Sequence, residues 1–494
     1  MPDPPAERLR NRSVIQREIV VKVTLKETIR VRRTVADCFR YLKDFSTIEQ
    51  WDPGVYRAEK LTPGAVAVGA EFLLQLNISG KRVPMTYQLT ACEDNTRLVL
   101  EGVNETLHAL DTLTFSAIED ELTEITYEAQ LTLKNVPQFL RLPMMPALNR
   151  LGKKAVSGLQ TALERPASAP KISWNSALKD KLILPAALDF TERGYLRQAD
   201  KGLSQFMDGK TVVLTGPTSG LGLAAASEFS RLGAKLVLIG RDHQRLQAAR
   251  DTVLDFSGAD AATIDFFEAE LSLLSEVSRV ADEILAAYPS VDVLVNNAGV
   301  LPLQREVTAE GHELTLAVNC LAPVLLMRRL LPALSAGSRV INVASGGMYL
   351  SGVNLADIES EHGFEGAKAY AQAKRALVTL TEMYACEWKS LGIDCNSMHP
   401  GWASTPGVAK SLPAFNKALA SRLRDARMGA DTVVWLAASE ELRGQTGDFW
   451  FDRERHPVNV LPGKALSPNR ALALKVWVEN ALAGYMNSGK SKAA

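Results

Sequence analysis

Two side chains able to exchange protons lie one helical turn apart in the second half of the chain. Tyr370 and Lys374 occur in the run Tyr-Ala-Gln-Ala-Lys, so on a helix the phenol and the ammonium share one face. A free tyrosine has a pKa of about 10, and a neighbouring cation is expected to lower that pKa towards neutrality. The pair therefore predicts proton transfer near neutral pH.

A glycine-rich turn precedes this pair by about 150 residues. The segment 215–222 reads Thr-Gly-Pro-Thr-Ser-Gly-Leu-Gly, with the spacing GxxxGxG. Glycines at 216, 220 and 222 would let the backbone approach a pyrophosphate, and a following helix, expected over Leu223–Leu232, would supply amide donors. We interpret the turn as a dinucleotide site, the alternative being a tight turn without a ligand.

A basic residue follows the next predicted strand, in Gly240-Arg241-Asp242. An acid near this point suits the ribose 2′-hydroxyl of NAD(H), whereas a basic residue suits the 2′-phosphate of NADP(H). Arg241 therefore favours NADP(H) over NAD(H), although it would also be ordinary as a solvated loop residue.

Three polar features follow later apolar segments. Asn296-Asn-Ala-Gly299 ends one predicted strand, Asn319 interrupts an apolar helix, and Ser345 follows another strand. Each alone is most simply structural, but together with the tyrosine–lysine pair they form a constellation suited to redox chemistry on a bound cofactor.

The elements that must position these residues are short apolar strands separated by helical segments. This pattern predicts an α/β fold with a doubly wound parallel Rossmann sheet, covered on both faces and binding ligands at the carboxyl ends of its strands. The predicted strands are 211–215, 235–239, 291–295, 339–343 and 393–398.

The first third of the chain has a different period. Apolar and polar residues alternate over 21–26 and 125–133, which predicts half-buried antiparallel strands. Turn signals at 79–81 and 119–121 separate strands, and a helix is expected from about Pro137 to Glu164. We expect an α+β domain with a curved antiparallel sheet closed by this helix. The predicted domains are 18–165, a linker and connector over 166–206, the Rossmann domain over 207–465 and a helix and tail over 466–494.

Six motifs in the C-terminal part resemble those of the short-chain dehydrogenase/reductase family, in the family's order: TGxxxGxG, NNAG, the helix Asn, the Ser, YxxxK and Pro400-Gly401. Within the family, segments 343–348 and 399–407 resemble the retinol-dehydrogenase-like branch called dehydrogenase/reductase member 12. The resemblance implies that Tyr370 donates a proton to a carbonyl or removes one from an alcohol. It also implies that Lys374 tunes Tyr370 and binds the nicotinamide ribose, that Ser345 binds the substrate oxygen and that Asn319 holds a relay water.

The same resemblance implies a set of cofactor contacts: Gly216, Ser219, Gly220, Leu221, Gly222, Arg241, Glu270, Leu271, Asn297, Ala298, Gly299, Tyr370, Lys374, Pro400 and Gly401. Glu270 stands where the family commonly has an Asp against adenine, and Ala344 replaces the first Ser of a usual pair. Apolar residues after Gly401 suggest a bulky apolar substrate: Trp402, Pro406, Leu412 and Phe415.

The N-terminal part resembles the helix-grip fold of the START and polyketide-cyclase superfamily over residues 18–165. The resemblance rests on the segments 35–45 and 51–55. It implies an apolar cavity that holds a hydrophobic ligand. His108 and Glu101 are expected to be exposed strand residues rather than cavity residues.

The overall composition of the chain limits the remaining classes of function and localisation. The chain has 494 residues, with 56 Lys plus Arg against 56 Asp plus Glu, so charge gives no argument for a nucleic-acid partner. Five cysteines without a close CxxC pair predict buried thiols and no metal site. The first residues lack the apolar core of a secretory signal, and the apolar stretch 321–334 is too short to span a bilayer. The expectation is a cytoplasmic protein, with homo-oligomers compatible with family habit.

The leading hypothesis is an NADP(H)-dependent oxidoreductase that interconverts a hydrophobic carbonyl and alcohol (lipid, retinoid-like or steroid-like), with an N-terminal domain that binds a hydrophobic ligand. A second hypothesis is a lipid-binding or regulatory protein that senses NADP(H) without turnover. A third has the N-terminal domain catalysing cyclisation or dehydration itself, and the absence of an evident acid–base pair there argues against it.

Overall fold

The computed structural model describes residues 21–78, 80–134, 141–164, 189–198, 201–405, 407, 411, 417, 419–461 and 463–486. The chain forms two compact units: an N-terminal unit of Met1–Thr62 and Ala67–Leu163, and a C-terminal unit of Pro63–Val66 and Glu164–Ala494. Several predicted features lie outside the described residues: the linker at 166–170, the connector before Asp189, the tail after Met486, and the side chains of Pro406, Leu412 and Phe415.

The N-terminal unit is a seven-stranded antiparallel sheet in the order β1-β7-β6-β5-β4-β3-β2. Two short helices follow β1, and the expected long helix follows β7. The strands are β1 Val21–Val31, β2 Val55–Lys60, β3 Glu71–Ile78, β4 Lys81–Glu93, β5 Arg97–Val103, β6 Leu107–Glu119 and β7 Leu122–Leu133; the helices are α1 Val35–Lys43, α2 Ile48–Trp51 and α3 Arg141–Leu163.

One face of this sheet carries the core because side chains alternate along each strand. Leu113 on β6 lies opposite Leu98 on β5 and Tyr127 on β7, and both leucines are fully buried. Helix α3 covers the unit closely at a glycine: a Cβ on Gly158 would lie only 2.0 Å from the carbonyl oxygen of Trp51. Helix α3 therefore packs directly against α2 on this side of the unit.

His108 and Glu101 lie on the opposite face of the sheet, as predicted. The His108 Nε2 atom is 2.7 Å from Glu101 Oε1, and both side chains are about 40% exposed. Because they point away from the helices, they take no part in the interior of the unit.

The C-terminal unit is an eight-stranded sheet in the order β10-β9-β8-β11-β12-β13-β14-β15. Strands pair in parallel up to β14, and β14 pairs with β15 antiparallel, so the doubly wound parallel prediction is confirmed with one antiparallel edge strand added. The strands are β8 Thr211–Thr215, β9 Lys235–Gly240, β10 Ile264–Glu268, β11 Val293–Asn296, β12 Arg339–Val343, β13 Asp394–Met398, β14 Phe449–Phe451 and β15 Glu454–His456.

Helices connect these strands and cover both faces. Two buried clusters fill the layers on either side of the sheet, as expected for a sheet without a wet face. The helices are α4 Glu192–Arg197, α5 Gly220–Arg231, α6 His243–Ser257, α7 Leu274–Ala287, α8 Leu314–Leu316, α9 Ala322–Arg329, α10 Gly366–Trp388, α11 Ala426–Ala438 and α12 Pro468–Leu482. Across the described residues, none of the helices combines the length and apolarity needed to cross a membrane.

The connector before α4 is fastened to the C-terminal unit by one buried arginine. Arg424 Nη2 donates to the Asp189 carbonyl at 2.7 Å, and its Nε donates to the Phe190 and Thr191 carbonyls at 3.1 Å. The same guanidinium forms a bidentate ion pair with Asp452. This buried charge is thereby fully paired.

Candidate active site

The turn between β8 and α5 leaves backbone amides free at a helix N-terminus. Gly216 has a φ of +69°, a conformation that glycine adopts without strain. A Cβ on Gly222 would lie 2.0 Å from the Gly216 carbonyl oxygen. The N-cap residue Ser219 makes no side-chain hydrogen bond to the helix. The first amides of α5 are thus available to an anion such as a pyrophosphate.

The segment Asn296–Gly299 is held against this turn by Thr215. The Thr215 Oγ1 atom accepts hydrogen bonds from the backbone N–H groups of Asn297 and Ala298, at 2.9 and 3.0 Å. Asn297 Nδ2 donates to the carbonyls of Thr215 and Gly216. These contacts fix the segment beside the glycine turn, and Thr215 is a positioning residue that the sequence alone did not single out.

Asn319 lies in a π-helical turn, Ala317–Leu321, between α8 and α9. Its side-chain amide is engaged twice by one residue: Nδ2 donates to the Val300 carbonyl at 2.8 Å, and Oδ1 accepts from the Val300 N–H at 3.1 Å. π-Helical turns occur often at functional sites. Because the side chain is occupied by Val300, this amide fixes the loop after β11.

Ser345 caps the short turn after β12, and a buried histidine holds the next residue. The Ser345 Oγ atom accepts from the Gly347 N–H at 3.2 Å. The Gly346 N–H donates to His399 Nδ1 at 3.0 Å, so the proton of the neutral ring is on Nε2. The pKa of His399 is well below its usual value because of burial and the nearby Arg424 and His456.

His399 is the first residue of the segment 399–407, and the sequence alone did not indicate a role for it. Its ring meets the Phe190 ring edge to face, with centroids 4.6 Å apart, and within the described part of the chain its Nε2 atom has no hydrogen-bond partner. Its position in the sequence, between the carboxyl end of β13 and Pro400-Gly401, could have marked it as a site residue.

Tyr370 and Lys374 share one face of α10, as predicted, with Lys374 Nζ 5.9 Å from the centre of the tyrosine ring. The predicted effect of the lysine on the phenol is wrong for the cofactor-free protein. Burial raises the pKa of Tyr370 above its usual value, and the nearby Ser345 side chain opposes this shift. Burial also lowers the pKa of Lys374 to about 8. Desolvation therefore exceeds the attraction expected between the pair.

Arg241 and Glu270 lie together where strands β9 and β10 end. Arg241 Nη1 is 3.7 Å from Glu270 Oε2, and the arginine side chain is 65% exposed. Glu270 Oε1 also accepts from the Ser272 N–H at 3.0 Å. The basic residue therefore faces the site with a weakly held partner that a stronger anion could displace.

One cleft of about 1890 Å³ collects nearly all of the predicted residues. Of the predicted catalytic and cofactor residues, all except Asn319 line it, and Asn319 lies directly behind its wall. Its volume exceeds that of a single small-ligand pocket, so a dinucleotide and a substrate would fit together. Several apolar side chains also line it: Leu301, Leu303, Leu350, Val353 and Trp402.

Comparisons with known proteins agree with this geometry. Residues 210–414 match the family described as short chain dehydrogenase, and residues 22–164 match the family described as polyketide cyclase / dehydrase and lipid transport. The chain is 36% identical over 281 residues to dehydrogenase/reductase SDR family member 12 of Bos taurus, covering 55% of this chain and 87% of that protein.

Two mouse proteins are also similar. Retinol dehydrogenase 14 of Mus musculus is 32% identical, covering 59% of this chain and 91% of that protein. Polyprenol dehydrogenase of Mus musculus is 31% identical, covering 55% of this chain and 82% of that protein.

Proposed function

This chain belongs to the short-chain dehydrogenase/reductase family, and on that premise we propose that it is an NADP(H)-dependent reductase of a hydrophobic carbonyl compound. As a member of the family it is an oxidoreductase acting on a CH–OH or C=O group. The proposal adds the cofactor preference, the direction and the substrate class. One observation carries it: Tyr370, Ser345 and Lys374 line the same cleft as the glycine turn.

In this proposal the carbonyl oxygen of the substrate lies between Ser345 and Tyr370. The bound dihydronicotinamide supplies a hydride to the carbonyl carbon when present. Tyr370 donates its phenolic proton to the oxygen as the C–O double bond becomes a single bond, leaving a phenolate. The raised pKa of Tyr370 keeps the phenol protonated at neutral pH, which suits a proton donor and hence the direction of reduction.

The other residues hold this geometry. Lys374, whose Nζ donates to the Val343 carbonyl at 2.8 Å, would stabilise the phenolate and offer its remaining protons to the nicotinamide ribose. Asn319 would act as a positioning residue for the loop at Val300.

NADP(H) is proposed over NAD(H) because Arg241 is exposed at the end of β9 with only a long contact to Glu270. A 2′-phosphate would receive a charge-assisted hydrogen bond from this guanidinium. The apolar side chains of Leu301, Leu303 and Trp402 in the cleft support a lipid-like substrate, and the similarity to retinol dehydrogenase 14 makes all-trans-retinal a reasonable first probe.

The test is a single-turnover assay of the full chain with NADPH and all-trans-retinal, in which retinol is quantified by chromatography. We expect retinol formation that is lost in Tyr370→Phe while NADPH binding, followed by fluorescence, is retained. A Tyr370→Phe variant with unchanged turnover would refute the chemistry. NADPH binding without hydride transfer to any member of a carbonyl panel would favour the sensor hypothesis.

A further inference from the structure

An ionisable group lies on the otherwise apolar inner face of the N-terminal sheet. Asp111 on β6 lies opposite Ala129 and Leu100 on its neighbouring strands, and it is only 2% exposed. An isolated carboxyl in such a place is costly unless it is hydrogen-bonded. Tyr127 on β7 lies diagonally across from it on the same face, because Ala129 pairs with Asp111 and Tyr127 pairs with Leu113. Burial raises the pKa of Asp111, and the nearby phenols of Tyr127 and Tyr87 oppose that rise.

A second acid lies near this group. Asp52, directly after α2, interacts electrostatically with Asp111 and with both tyrosines. Its Oδ1 atom accepts from the Gly54 N–H at 2.7 Å. The structure thus contains a buried acid–phenol cluster, Asp52, Tyr87, Asp111 and Tyr127. The sequence showed no evident cluster of this kind because its members lie far apart along the chain.

A hydrogen-bond donor without a partner borders the cluster. Trp51 is 3% exposed, and its Nε1 atom has no hydrogen-bond partner among the residues that the structure describes. Its indole ring meets the Tyr127 ring edge to face, with centroids 6.2 Å apart. A buried N–H without an acceptor carries its full desolvation penalty, and a ligand oxygen at this point would remove that penalty.

The cluster can be approached from one side. Glu27 on β1 and Tyr127 lie opposite each other in the sheet, and both are only half-buried. Solvent therefore reaches the inner face at this register, whereas Tyr87 and Asp111 lie deeper.

We propose that Trp51, Tyr127 and Asp111 form a binding site for a neutral oxygen, a carbonyl or hydroxyl, on an apolar ligand held by the N-terminal unit. The unpartnered group is a donor, so the ligand must present an acceptor. This excludes an ammonium group, which has no lone pair to offer. An anionic ligand is disfavoured by the two aspartates. The proposal rests on the N-terminal unit binding a hydrophobic ligand, and it is independent of the reductase chemistry.

The site would accept molecules of the same chemical type as the reductase substrate or product, each an apolar body with one carbonyl or hydroxyl. The phenols and the indole would select for that oxygen, because an analogue without it leaves the buried donors unpaired.

The test uses the full chain without dinucleotide, titrated by calorimetry with 2-acetylnaphthalene and with its apolar isostere 2-isopropylnaphthalene. One buried hydrogen bond corresponds to about a tenfold difference in affinity, so we expect the ketone to bind about tenfold more tightly. Trp51→Phe and Tyr127→Phe should each bring this ratio close to one. The matched control Tyr56→Phe, which removes a phenol on β2, should leave the ratio unchanged.

The affinity ratio compares the ketone with its isostere on the same variant. A modest loss of stability in Trp51→Phe affects both affinities equally and therefore does not change the ratio. Equal affinities in the unaltered protein would overturn the oxygen site alone, and so would a ratio that both variants retain. Absence of binding by either probe would overturn ligand binding by this unit as well. Tighter binding of 2-naphthylmethylamine than of the ketone would show a cation site instead and would also overturn the proposal. None of these outcomes bears on NADPH-linked turnover, which is measured separately.

Discussion

Lys374 Nζ lies 2.8 Å from the carbonyl oxygen of Val343, the last residue of β12. This hydrogen bond joins α10 to the strand end from which Ser345 emerges two residues later. The proton donor, the cation and the hydroxyl of the proposed site are therefore held by one strand end and one helix. Their geometry depends little on the loops around the cleft.

Tyr370→Phe is expected to lower kcat for NADPH-linked reduction by about 10²–10⁴-fold, because it removes the general acid and leaves the ring in place. The control is Tyr384→Phe on the same helix, whose hydroxyl contacts Glu479 at 3.4 Å, away from the cleft. Steady-state kinetics should show loss in the first variant and near-normal rates in the second. Equal losses in both would indicate damage to α10 and not removal of a proton donor.

Arg241→Ala is expected to raise the Kd for NADPH by about 10–100-fold, since a hydrogen bond to a charged group contributes about 1.5–3 kcal/mol. The Kd for NADH should change little. Glu270→Gln removes the competing carboxylate 3.7 Å away and should tighten NADPH binding by a few-fold at most, because exposed ion pairs are weak. Fluorescence titration measures both, and a parallel loss for NADH would contradict 2′-phosphate recognition by Arg241.

Gly222→Ala is expected to abolish dinucleotide binding, because the new methyl group would lie 2.0 Å from the Gly216 carbonyl oxygen and would displace the turn. Gly484→Ala places a methyl group in open space and is the matched control. Calorimetric titration with NADPH should separate the two variants. If Gly222→Ala bound NADPH normally, the glycine turn would not be the pyrophosphate site.

His399→Leu is expected to lower kcat by about tenfold or more, because it leaves the Gly346 N–H without its acceptor, at a cost of about 1–3 kcal/mol. His399→Asn keeps an acceptor near the Nδ1 position and should restore most of the activity. Because the pKa of His399 is well below its usual value, the unaltered enzyme should show no histidine-linked change in kcat between pH 6 and 8. A step in that range, lost in His399→Asn, would instead make the ring a titrating group.

Asp111 gives a prediction for stability against pH. Burial raises its pKa to about 7, above the unfolded value of about 4, so the folded state holds a proton that the unfolded state has lost. The stability of the N-terminal unit should therefore fall as pH rises from about 4 to about 7, by at most about 1.4 kcal/mol per pH unit for one proton.

Hydrogen exchange of peptides from β6 and β7, corrected for intrinsic rates, measures this change. Asp111→Asn should flatten the profile except for the contribution of Asp52, whose pKa burial raises to about 6. Asp120→Asn, at the exposed β6–β7 turn, should retain the full slope. A profile that rises with pH would contradict a buried protonated Asp111.

Local sequence was sufficient for the Rossmann unit because its signals lie within single segments. The apolar run at 339–343 is β12 at the predicted bounds, and the glycine turn and the tyrosine–lysine pair lie where their spacing placed them. The strand expected from Val291 begins at Val293, because Val291 and Asp292 donate instead to the carbonyls of Ala333 and Thr211. Such a shift depends on neighbours distant in sequence.

The acid–phenol cluster could not be derived in the same way. In β6, apolar and polar residues alternate as expected for a half-buried strand, except that Asp111 occupies an inward position. This exception was the one sign of the cluster in the sequence. The other members come from positions 52, 87 and 127, so the cluster exists only when four elements are assembled. The pKa of Tyr370 was missed for a related reason, since spacing along a helix shows proximity to a cation and does not show burial.

The carbonyls at 189–191 that Arg424 binds have a consequence for modular engineering. If the C-terminal unit were produced from the start of β8 onward, the buried guanidinium of Arg424 would keep Asp452 as its partner but lose the three backbone carbonyls. Each N–H group left without an acceptor would lower the stability of the unit by about 1–3 kcal/mol. To fuse this unit to another binding domain, the chain should therefore be joined ahead of Asp189. That position lies some twenty residues before β8, the first strand of the parallel sheet.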